Sequence, residues 1–221
     1  MHDEAQIERL RWPAEGDTRV PYRVFSDQEI YEEEQERIFR GPVWNFLCLE
    51  LEVAKSGDIR TSWIGDTPII VTRDENGEIH AMENRCAHKG ALVVLKERDH
   101  QKSLTCVYHA WNYGLDGRLK TVAFKNGLKG MGGMPKDFDV ADHRLEPLRV
   151  EVFSGMVFGT FSPDTKPLQE FLGPRMSSYI ARSMDRPLKI LGVHVNRHAD
   201  TGGLGQRGSN LRHDLMADLV T

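Results

Sequence analysis

Short runs of apolar residues, or of alternating apolar and polar residues, occupy the middle of the chain. Turn dipeptides at Asn76-Gly77, Asp116-Gly117 and Ser154-Gly155 separate several of these runs. Runs of this length and pattern predict strands, and the tight turns between them predict an antiparallel arrangement. The predicted strands are Val43–Leu49, Thr61–Ile64, Pro68–Arg73, Glu78–Asn84, Ser103–Tyr108, Trp111–Leu115, Leu148–Val152 and Met156–Phe161. The predicted fold class is therefore mainly β.

A helix is predicted ahead of the strands. Ser26 and Glu29 have the Ser-x-x-Glu spacing of a capping box, so we expect the helix to begin there and to continue to about Arg40. The acidic run Glu32 to Glu34 is explained as its solvated face. The residues of this helix that we expect to be buried include Ile30, Ile38 and Phe39.

Two further segments have their own patterns. Between Lys120 and His143 the chain is rich in glycine and lysine and too irregular for a strand. It does not lead from a strand into a helix as a nucleotide-binding loop does, so we interpret it as a surface excursion. From Pro167 to Met184 apolar residues recur at helical spacing, interrupted by Pro174, which predicts a C-terminal helical segment that packs against the domain. Its apolar positions are Leu168, Phe171, Leu172, Met176, Tyr179 and Ile180.

Composition narrows the class of protein. With 221 residues, 39% of them hydrophobic, the chain is long enough for one domain with extensions. Its formal charge of −4 gives no electrostatic reason to expect a nucleic-acid partner. The sequence has neither a long apolar span nor a signal-like start, so we expect a cytoplasmic protein that makes no membrane contact. Three cysteines fit a reducing compartment, and Cys48, in an apolar run, is expected to be a buried inert thiol.

The main chemical signal is one cysteine and one histidine in each of two predicted loops. Cys86 and His88 form the first pair, and Cys106 and His109 form the second; each pair follows a strand-like run. Two thiolates and two imidazoles are the ligand set of a Rieske [2Fe-2S] cluster, in which the thiolates bind one iron and the imidazoles bind the other. A structural zinc site is the alternative, since zinc takes the same ligands. Common zinc modules, however, group like ligands as Cys-x₂₋₄-Cys and His-x₃₋₅-His.

The sequence around these pairs resembles the large (alpha) subunit of the Rieske non-haem iron aromatic-ring-hydroxylating oxygenases. The segments Asn84 to Gly90 and Cys106 to Tyr113 match that family's cluster motif nearly residue for residue, although Lys89 stands where an arginine is commoner. The resemblance implies the Rieske antiparallel β fold. Outlying segments are most similar to the salicylate 5-hydroxylase and anthranilate dioxygenase branch, and together they extend the likeness over about residues 10 to 195. These segments are Trp12-Pro13, Arg19 to Tyr22, Gly130 to Phe138 and Leu188 to Gly192.

The resemblance also implies cofactors and partners. Cys86, His88, Cys106 and His109 would hold the cluster, and the intact enzyme would add a mononuclear Fe(II) that activates O₂ on an aromatic carboxylate. NADH-derived electrons would arrive from a reductase, directly or through a ferredoxin. In the family, large subunits assemble as a trimer, in some cases with a small beta subunit, and either His88 or His109 would pass electrons on. An alternative function is a stand-alone Rieske-type electron carrier, which would need only about half this length.

The C-terminal part departs from the family pattern. The family places an Asn-x-x-x-Asp-x-Tyr-His segment soon after the stretch that matches Leu188 to Gly192, and this chain instead runs into glycine-rich sequence. We therefore expect a truncated chain that lacks the iron domain and is not catalytically complete alone. The nominal iron ligands in the tail, which nothing there would hold in place, are His198, Asp200, His213, Asp214 and Asp218. The predicted division is an N-terminal extension (1–42), a Rieske domain (43–162), a helical segment leading toward a catalytic domain (163–195) and an atypical tail expected to be disordered (196–221).

Overall fold

A computed structural model describes residues 20–96, 100–129, 131–186 and 188. The predicted tail at 196–221, its five nominal iron ligands and the outlying segment Trp12-Pro13 lie outside the described residues. The described part contains nine strands, and all pairings between them are antiparallel. The strands are β1 (Asn45–Leu49), β2 (Ile59–Ile64), β3 (Thr67–Arg73), β4 (Ile79–Glu83), β5 (Leu104–Thr105), β6 (Asn112–Tyr113), β7 (Leu119–Thr121), β8 (Pro147–Phe153) and β9 (Met156–Thr160).

Six of the strands form one sheet in the order β1-β9-β8-β4-β3-β2. The sheet curls until its two outer strands meet, where the Ser62 hydroxyl on β2 donates to the Leu47 carbonyl on β1 at 2.8 Å. Alternate strand residues point inward and fill the resulting barrel with aliphatic side chains. This barrel core consists of Leu47, Cys48, Val53, Ile64, Ile69, Val71, Ala81, Leu148 and Val157. Cys48 is thus a buried thiol, as predicted.

The three remaining strands form a small sheet in the order β5-β6-β7. A buried hydrogen bond of 2.6 Å from the Thr72 hydroxyl to the Leu115 carbonyl ties this sheet to the barrel. Between the two sheets lies a second core, which includes both cysteines of the predicted site. The second core consists of Ile59, Ile70, Met82, Cys86, Val93, Val94, Leu104, Cys106, Trp111, Tyr113, Leu115, Leu119, Val122 and Leu145.

The strand predictions are confirmed with two adjustments. The predicted strands at 103–108 and 111–115 shorten to two residues each, because the chain between them turns sharply to present a cysteine and a histidine. The third strand of the small sheet, β7, has no counterpart in the prediction because its sequence, Leu-Lys-Thr, is short and mostly polar. Predicted turns are confirmed at Gly77, Gly117 and Gly155, where φ is +84°, +79° and +74°.

The N-terminal helix differs in detail from its prediction. Helix α1 (Gln28–Glu34) is capped by Asp27, whose carboxylate accepts from the N–H groups of Glu29 and Ile30, so the capping box assigned to Ser26 is wrong. The helix continues as a π-helical turn at Gln35–Phe39. Neither segment has a fully buried residue, and the expectation of burial is wrong for Ile38, which is 52% exposed. Short 3₁₀ turns occur at Tyr22–Phe25, Glu50–Val53 and Val140–His143.

The C-terminal helical segment is confirmed as α2 (Leu168–Met184), with Gly173 in a non-helical conformation just before Pro174. Its first residue, Leu168, is buried against Trp44 and Phe158 on the outside of the barrel. Leu172, one turn further along, is partly buried against the same residues, whereas the outer apolar residues Phe171, Met176 and Tyr179 are exposed. None of the described helices has the length and apolar character needed to cross a membrane.

Candidate metal centre

The first predicted ligand loop leaves β4 and is braced by one buried side chain. The Asn84 carboxamide oxygen accepts from the N–H groups of Val93 and Val94, each at 2.9 Å. Its amide nitrogen donates to the Val94 carbonyl at 2.7 Å. Because Asn84 is buried, these three bonds close the loop from within the core, as a backbone ladder would.

The backbone of the first loop forms a tight turn around its cysteine. The Cys86 N–H donates to the Ala91 carbonyl, and the Gly90 N–H donates to the Cys86 carbonyl, both at 2.8 Å. Gly90 has φ +68°, in the left-handed region that glycine adopts without cost. The turn fixes the direction in which the Cys86 and His88 side chains leave the chain.

The second loop, which leaves β5, repeats that pattern. The Cys106 N–H donates to the Trp111 carbonyl, and the Ala110 N–H donates to the Cys106 carbonyl, both at 2.9 Å. The residue four positions after the cysteine again has positive φ, at +53°, but here it is an alanine. An L-residue in this conformation costs roughly 1 kcal/mol, so the turn is held by its surroundings rather than by local preference.

The two loops bring all four predicted side chains together in matched pairs. Cys86 and Cys106 are both buried and their thiols interact, and none of the chain's cysteines forms a disulfide. The imidazoles of His88 and His109 meet edge to face with ring centroids 4.6 Å apart. The Nδ1 atom of His88 is buried and has no hydrogen-bond partner among the described residues. A buried ring nitrogen without a protein partner is a donor atom of the kind that metal ligation uses.

The spacing of the donor atoms distinguishes two metal ions from one. A single tetrahedral zinc ion would bring all four donors to within about 4 Å of one another. Among the described histidine, cysteine and carboxylate side chains, only one group of three brings its donor atoms within 4.8 Å of one another. That group is Asp74, Glu78 and His80, which does not include any of the four predicted ligands. The thiols therefore pair and the imidazoles pair, but no three of the four converge. This arrangement suits two metal ions with different ligand pairs better than the zinc alternative.

The surroundings of the two pairs favour a neutral imidazole on His88 and disfavour an unpaired thiolate on Cys86. Burial raises the pKa of Cys86, while the hydrogen bond with Tyr113 acts in the opposite direction. Burial, followed by the neighbouring His109 and Lys89, lowers the pKa of His88. A neutral His88 can offer a lone pair, and a buried thiolate requires a compensating cation or hydrogen bonds.

Tyr113, at the end of β6, supplies such a hydrogen bond. It is fully buried, and its hydroxyl oxygen lies 3.1 Å from the Cys86 sulfur and also accepts from the Ala87 N–H at 3.1 Å. With that N–H pointing at the oxygen, the phenolic hydrogen is left to donate to the sulfur. Burial and the contact with Cys86 raise the pKa of Tyr113, which keeps its hydroxyl protonated.

Aromatic rings cover one side of the site. Trp111, which is buried, stacks on the His88 imidazole with centroids 4.8 Å apart and planes 11° from parallel. Phe138 and His143 pack edge-on against the indole, each at 5.7 Å. The other imidazole, on His109, is exposed. One face of the partly buried His88 ring is therefore covered by Trp111, whereas the His109 ring is exposed.

Two of these supporting residues carry no spacing signal in the sequence. Asn84 and Tyr113 lie inside the motif segments, but nothing in their spacing marks them as a brace or a hydrogen-bond donor. Tyr113 is 27 positions from Cys86 and reaches its sulfur only because β6 pairs with β5. Among single-residue signals, only the preference of buried tyrosine for a hydrogen-bond partner points this way.

The Asp74, Glu78 and His80 group lies at the turn between β3 and β4, apart from the ligand loops. Burial alone would raise the pKa of Asp74, but hydrogen bonds from His80 and from the N–H groups of Glu78 and Asn76 lower it overall. The same carboxylate thus closes the turn, with contacts of 2.9 to 3.0 Å. Its lone pairs serve the turn itself.

The part of the chain that contains these loops matches a known protein family and a solved structure. Residues 43–131 match the model of the Rieske [2Fe-2S] domain. The chain resembles naphthalene 1,2-dioxygenase from Rhodococcus sp., a crystal structure with indole bound. The TM-score is 0.68 at 31% identity, over 79% of this chain and 39% of that one.

Curated relatives extend the likeness beyond the matched domain. The chain is 49% identical to the anthranilate 1,2-dioxygenase large subunit of Burkholderia cepacia over 183 residues, which is 83% of this chain and 43% of that one. It is 40% identical to the large oxygenase component of salicylate 5-hydroxylase from Ralstonia sp., over 85% of this chain and 45% of that one. The chain therefore spans a little over two fifths of the length of these relatives.

Proposed function

This chain belongs to the Rieske [2Fe-2S] proteins and groups with the large subunits of ring-hydroxylating oxygenases; from that premise we propose that it is the electron-transfer portion of such a subunit. In this proposal Cys86 and Cys106 bind one iron, and His88 and His109 bind the other. A bound [2Fe-2S] cluster supplies one-electron transfer at a potential set by its ligands and surroundings. The observation that carries the ligand assignment is the paired arrangement of donors, thiol beside thiol and imidazole beside imidazole.

The protein's contribution is to hold these donors in place and to control their surroundings. The two cysteine-centred turns fix the direction in which the loop backbones present the four donors. Tyr113 donates to the Cys86 sulfur and so stabilises additional negative charge on that ligand. Trp111 covers one face of the His88 ring and limits its rotation.

The activity of a whole enzyme is a further part of the proposal. Three relatives are named for anthranilate, terephthalate and salicylate, which are all aromatic carboxylates. We therefore propose that the electrons serve oxygenation of an aromatic carboxylate at a mononuclear iron, supplied from NADH through a reductase or ferredoxin. A stand-alone carrier is less consistent with these relatives, because the similarity covers 83% of the chain and continues well past residue 131.

Metal analysis and electron paramagnetic resonance test the cluster assignment. The purified full chain should contain iron and acid-labile sulfide in equal amounts, and after dithionite it should give the signal of a cluster with mixed cysteine and histidine ligands. Cys86→Ser should abolish the signal. Cys48→Ala is the matched control, because Cys48 is also a buried thiol but lies in β1 within the barrel core, and that variant should keep the signal.

Two results would contradict the assignment. Stoichiometric zinc without acid-labile sulfide would mean that the site holds one zinc ion and no cluster. An unchanged signal in Cys86→Ser would mean that the ligands are other residues.

A further inference from the structure

A block of positive charge lies in the excursion that follows β7. From Val122 to Lys136 the sequence has three lysines, Lys125, Lys129 and Lys136, and no acidic residue, although the chain as a whole carries a formal charge of −4. Asp137, Asp139 and Asp142 follow this block, and the Asp139 carboxylate is engaged by the Ala141 N–H at 2.9 Å. The charge of this segment is thus opposite in sign to that of the chain around it.

The excursion is folded on itself. The N–H and carbonyl groups of Leu128 and Met131 bond to each other at 2.9 and 3.0 Å, and the Met134 N–H donates to the Lys125 carbonyl at 2.8 Å. Phe124 and Lys129 both have positive φ, at +56° and +51°, a conformation that costs a non-glycine residue roughly 1 kcal/mol. These backbone contacts fix where the side chains of the segment point.

Several of those side chains are apolar and lie in solvent. Phe124, Leu128 and Met131 are 68%, 60% and 75% exposed. In the same segment is a concavity of about 370 Å³ that is lined in part by two lysines. Its lining residues, none of which carries a negative charge, are Lys125, Asn126, Gly132, Met134, Pro135 and Lys136. We call the surface made by Phe124, Lys125, Leu128, Lys129, Met131 and Lys136 the lysine face.

The lysine face is two ring contacts from a predicted cluster ligand. The Lys125 ammonium lies 5.7 Å from the centre of the Phe138 ring, Phe138 packs against Trp111 at 5.7 Å, and Trp111 stacks on His88 at 4.8 Å. Met134, which lines the concavity, and Phe138 both pack against the core that contains the two ligand cysteines. A protein seated on this face would therefore be close to the ring-covered side of the metal centre.

We propose that the lysine face is the docking surface for an acidic electron-donor protein, a proposal that rests on the cluster function proposed above. Exposed apolar side chains rimmed by like charges are typical of transient protein interfaces, with the charges steering encounter. Lys125 and Lys136 can pair with carboxylates of the partner, while Phe124, Leu128 and Met131 supply apolar contact. Electrons would enter on the His88 and Trp111 side of the site.

Stopped-flow reduction tests this surface. The probe is a plant-type [2Fe-2S] ferredoxin, an acidic protein, reduced photochemically and mixed with the oxidised full chain at low and high salt. Reversing the charges in Lys125→Glu/Lys136→Glu should lower the second-order rate constant about tenfold at low salt and flatten its salt dependence. The matched control, Lys55→Glu/Lys102→Glu, changes net charge by the same amount at two exposed lysines that flank the Gly57–Gln101 backbone contact. It should leave the rate within about twofold of wild type.

Two further measurements separate this proposal from the cluster assignment. Dithionite reduction and the paramagnetic signal should be unchanged in both double variants, because neither lysine pair contacts the four ligands. If wild type lacks the signal, the cluster assignment has failed. If the signal is present but both double variants react with ferredoxin alike, the docking proposal is wrong. A change of oligomeric state in Lys125→Glu/Lys136→Glu by sedimentation would also overturn it, because the face would then bind a second copy of the chain.

Discussion

The two ligand loops have the same backbone turn but are contacted by different side chains. In each, hydrogen bonds of the cysteine N–H and carbonyl close a turn, and the residue four positions after the cysteine has positive φ. The first loop is braced by side chains of the core: Asn84 bonds its backbone and Tyr113 contacts its cysteine. The tips of both loops are exposed, at Ala87 and Lys89 in the first and at Val107 and Tyr108 in the second. A common turn thus positions the donors, while side chains from the core add a brace to the first loop.

This difference predicts unequal tolerance to mutation. The first loop depends on long-range side-chain contacts that can each be deleted by one substitution. The second depends on its own hydrogen bonds and on the short sheet that it joins. Side-chain deletions should therefore be more harmful in the first loop than in the second.

The largest effect is expected from Asn84→Ala. It removes three hydrogen bonds and leaves the N–H groups of Val93 and Val94 buried without partners, which should cost about 3 kcal/mol in the free energy of unfolding. Asn112→Ala is the counterpart beside the second loop, where the carboxamide donates to the Ser103 and Thr105 hydroxyls. It should cost about 1 kcal/mol or less. Urea denaturation with parallel measurement of cluster absorbance checks both, and equal losses would remove the asymmetry.

An intermediate effect is expected on the reduction potential in Tyr113→Phe. Loss of a hydrogen bond to the Cys86 sulfur destabilises the reduced, more negative state, so the midpoint potential should fall by roughly 20 to 60 mV. Tyr108→Phe changes an exposed tyrosine that lies against His109, and its potential should stay at the wild-type value. Protein-film voltammetry measures both. A fall of the same size in Tyr108→Phe would mean that the potential follows aromatic hydroxyls in general rather than the bond to Cys86.

The smallest effects compare the matched turn positions. Gly90→Ala should cost about 1 kcal/mol from backbone strain alone, because no atom lies within 4 Å of the added methyl group. Ala110→Gly relieves that strain but makes the unfolded chain more flexible, so the two terms nearly cancel and stability should change by less than about 0.5 kcal/mol. Thermal melts would resolve the difference. A loss in Ala110→Gly as large as that in Gly90→Ala would show that the turns are not equivalent.

Local sequence patterns predict much of this fold, and the misses have physical causes. Strand alternation and glycine turns depend on neighbouring residues, so the barrel strands and three of the turns follow from the sequence. The sequence does not identify the helix cap, because Ser26 and Asp27 are adjacent capping residues and only the backbone geometry selects Asp27. Ile38 is exposed because the helix loosens into a π-turn at Gln35–Phe39, which shifts the helical period.

For the metal centre, the four donors can be read from the sequence and their surroundings cannot. The cysteine and histidine pairs are local motifs with few chemical alternatives. Three other residues support these donors: Asn84 braces the first loop, Tyr113 donates a hydrogen bond to Cys86, and Trp111 covers His88. All three act through contacts that form when β4, β5 and β6 assemble. Such contacts depend on tertiary pairing, which periodicity does not encode.

The break at Gly173 has a mechanical consequence. The first turn of α2 is clamped to the barrel, with Leu168 buried and its N–H bonded to the Glu151 carboxylate at 2.9 Å. Beyond Gly173, whose φ of +69° departs from the helix, the rod up to Met184 runs in a new direction. The backbone torsion angles of Gly173 thus set the direction of the helix that follows it. A small rotation about them would move the end of that helix at Met184 by several ångströms, while Leu168 stays in place.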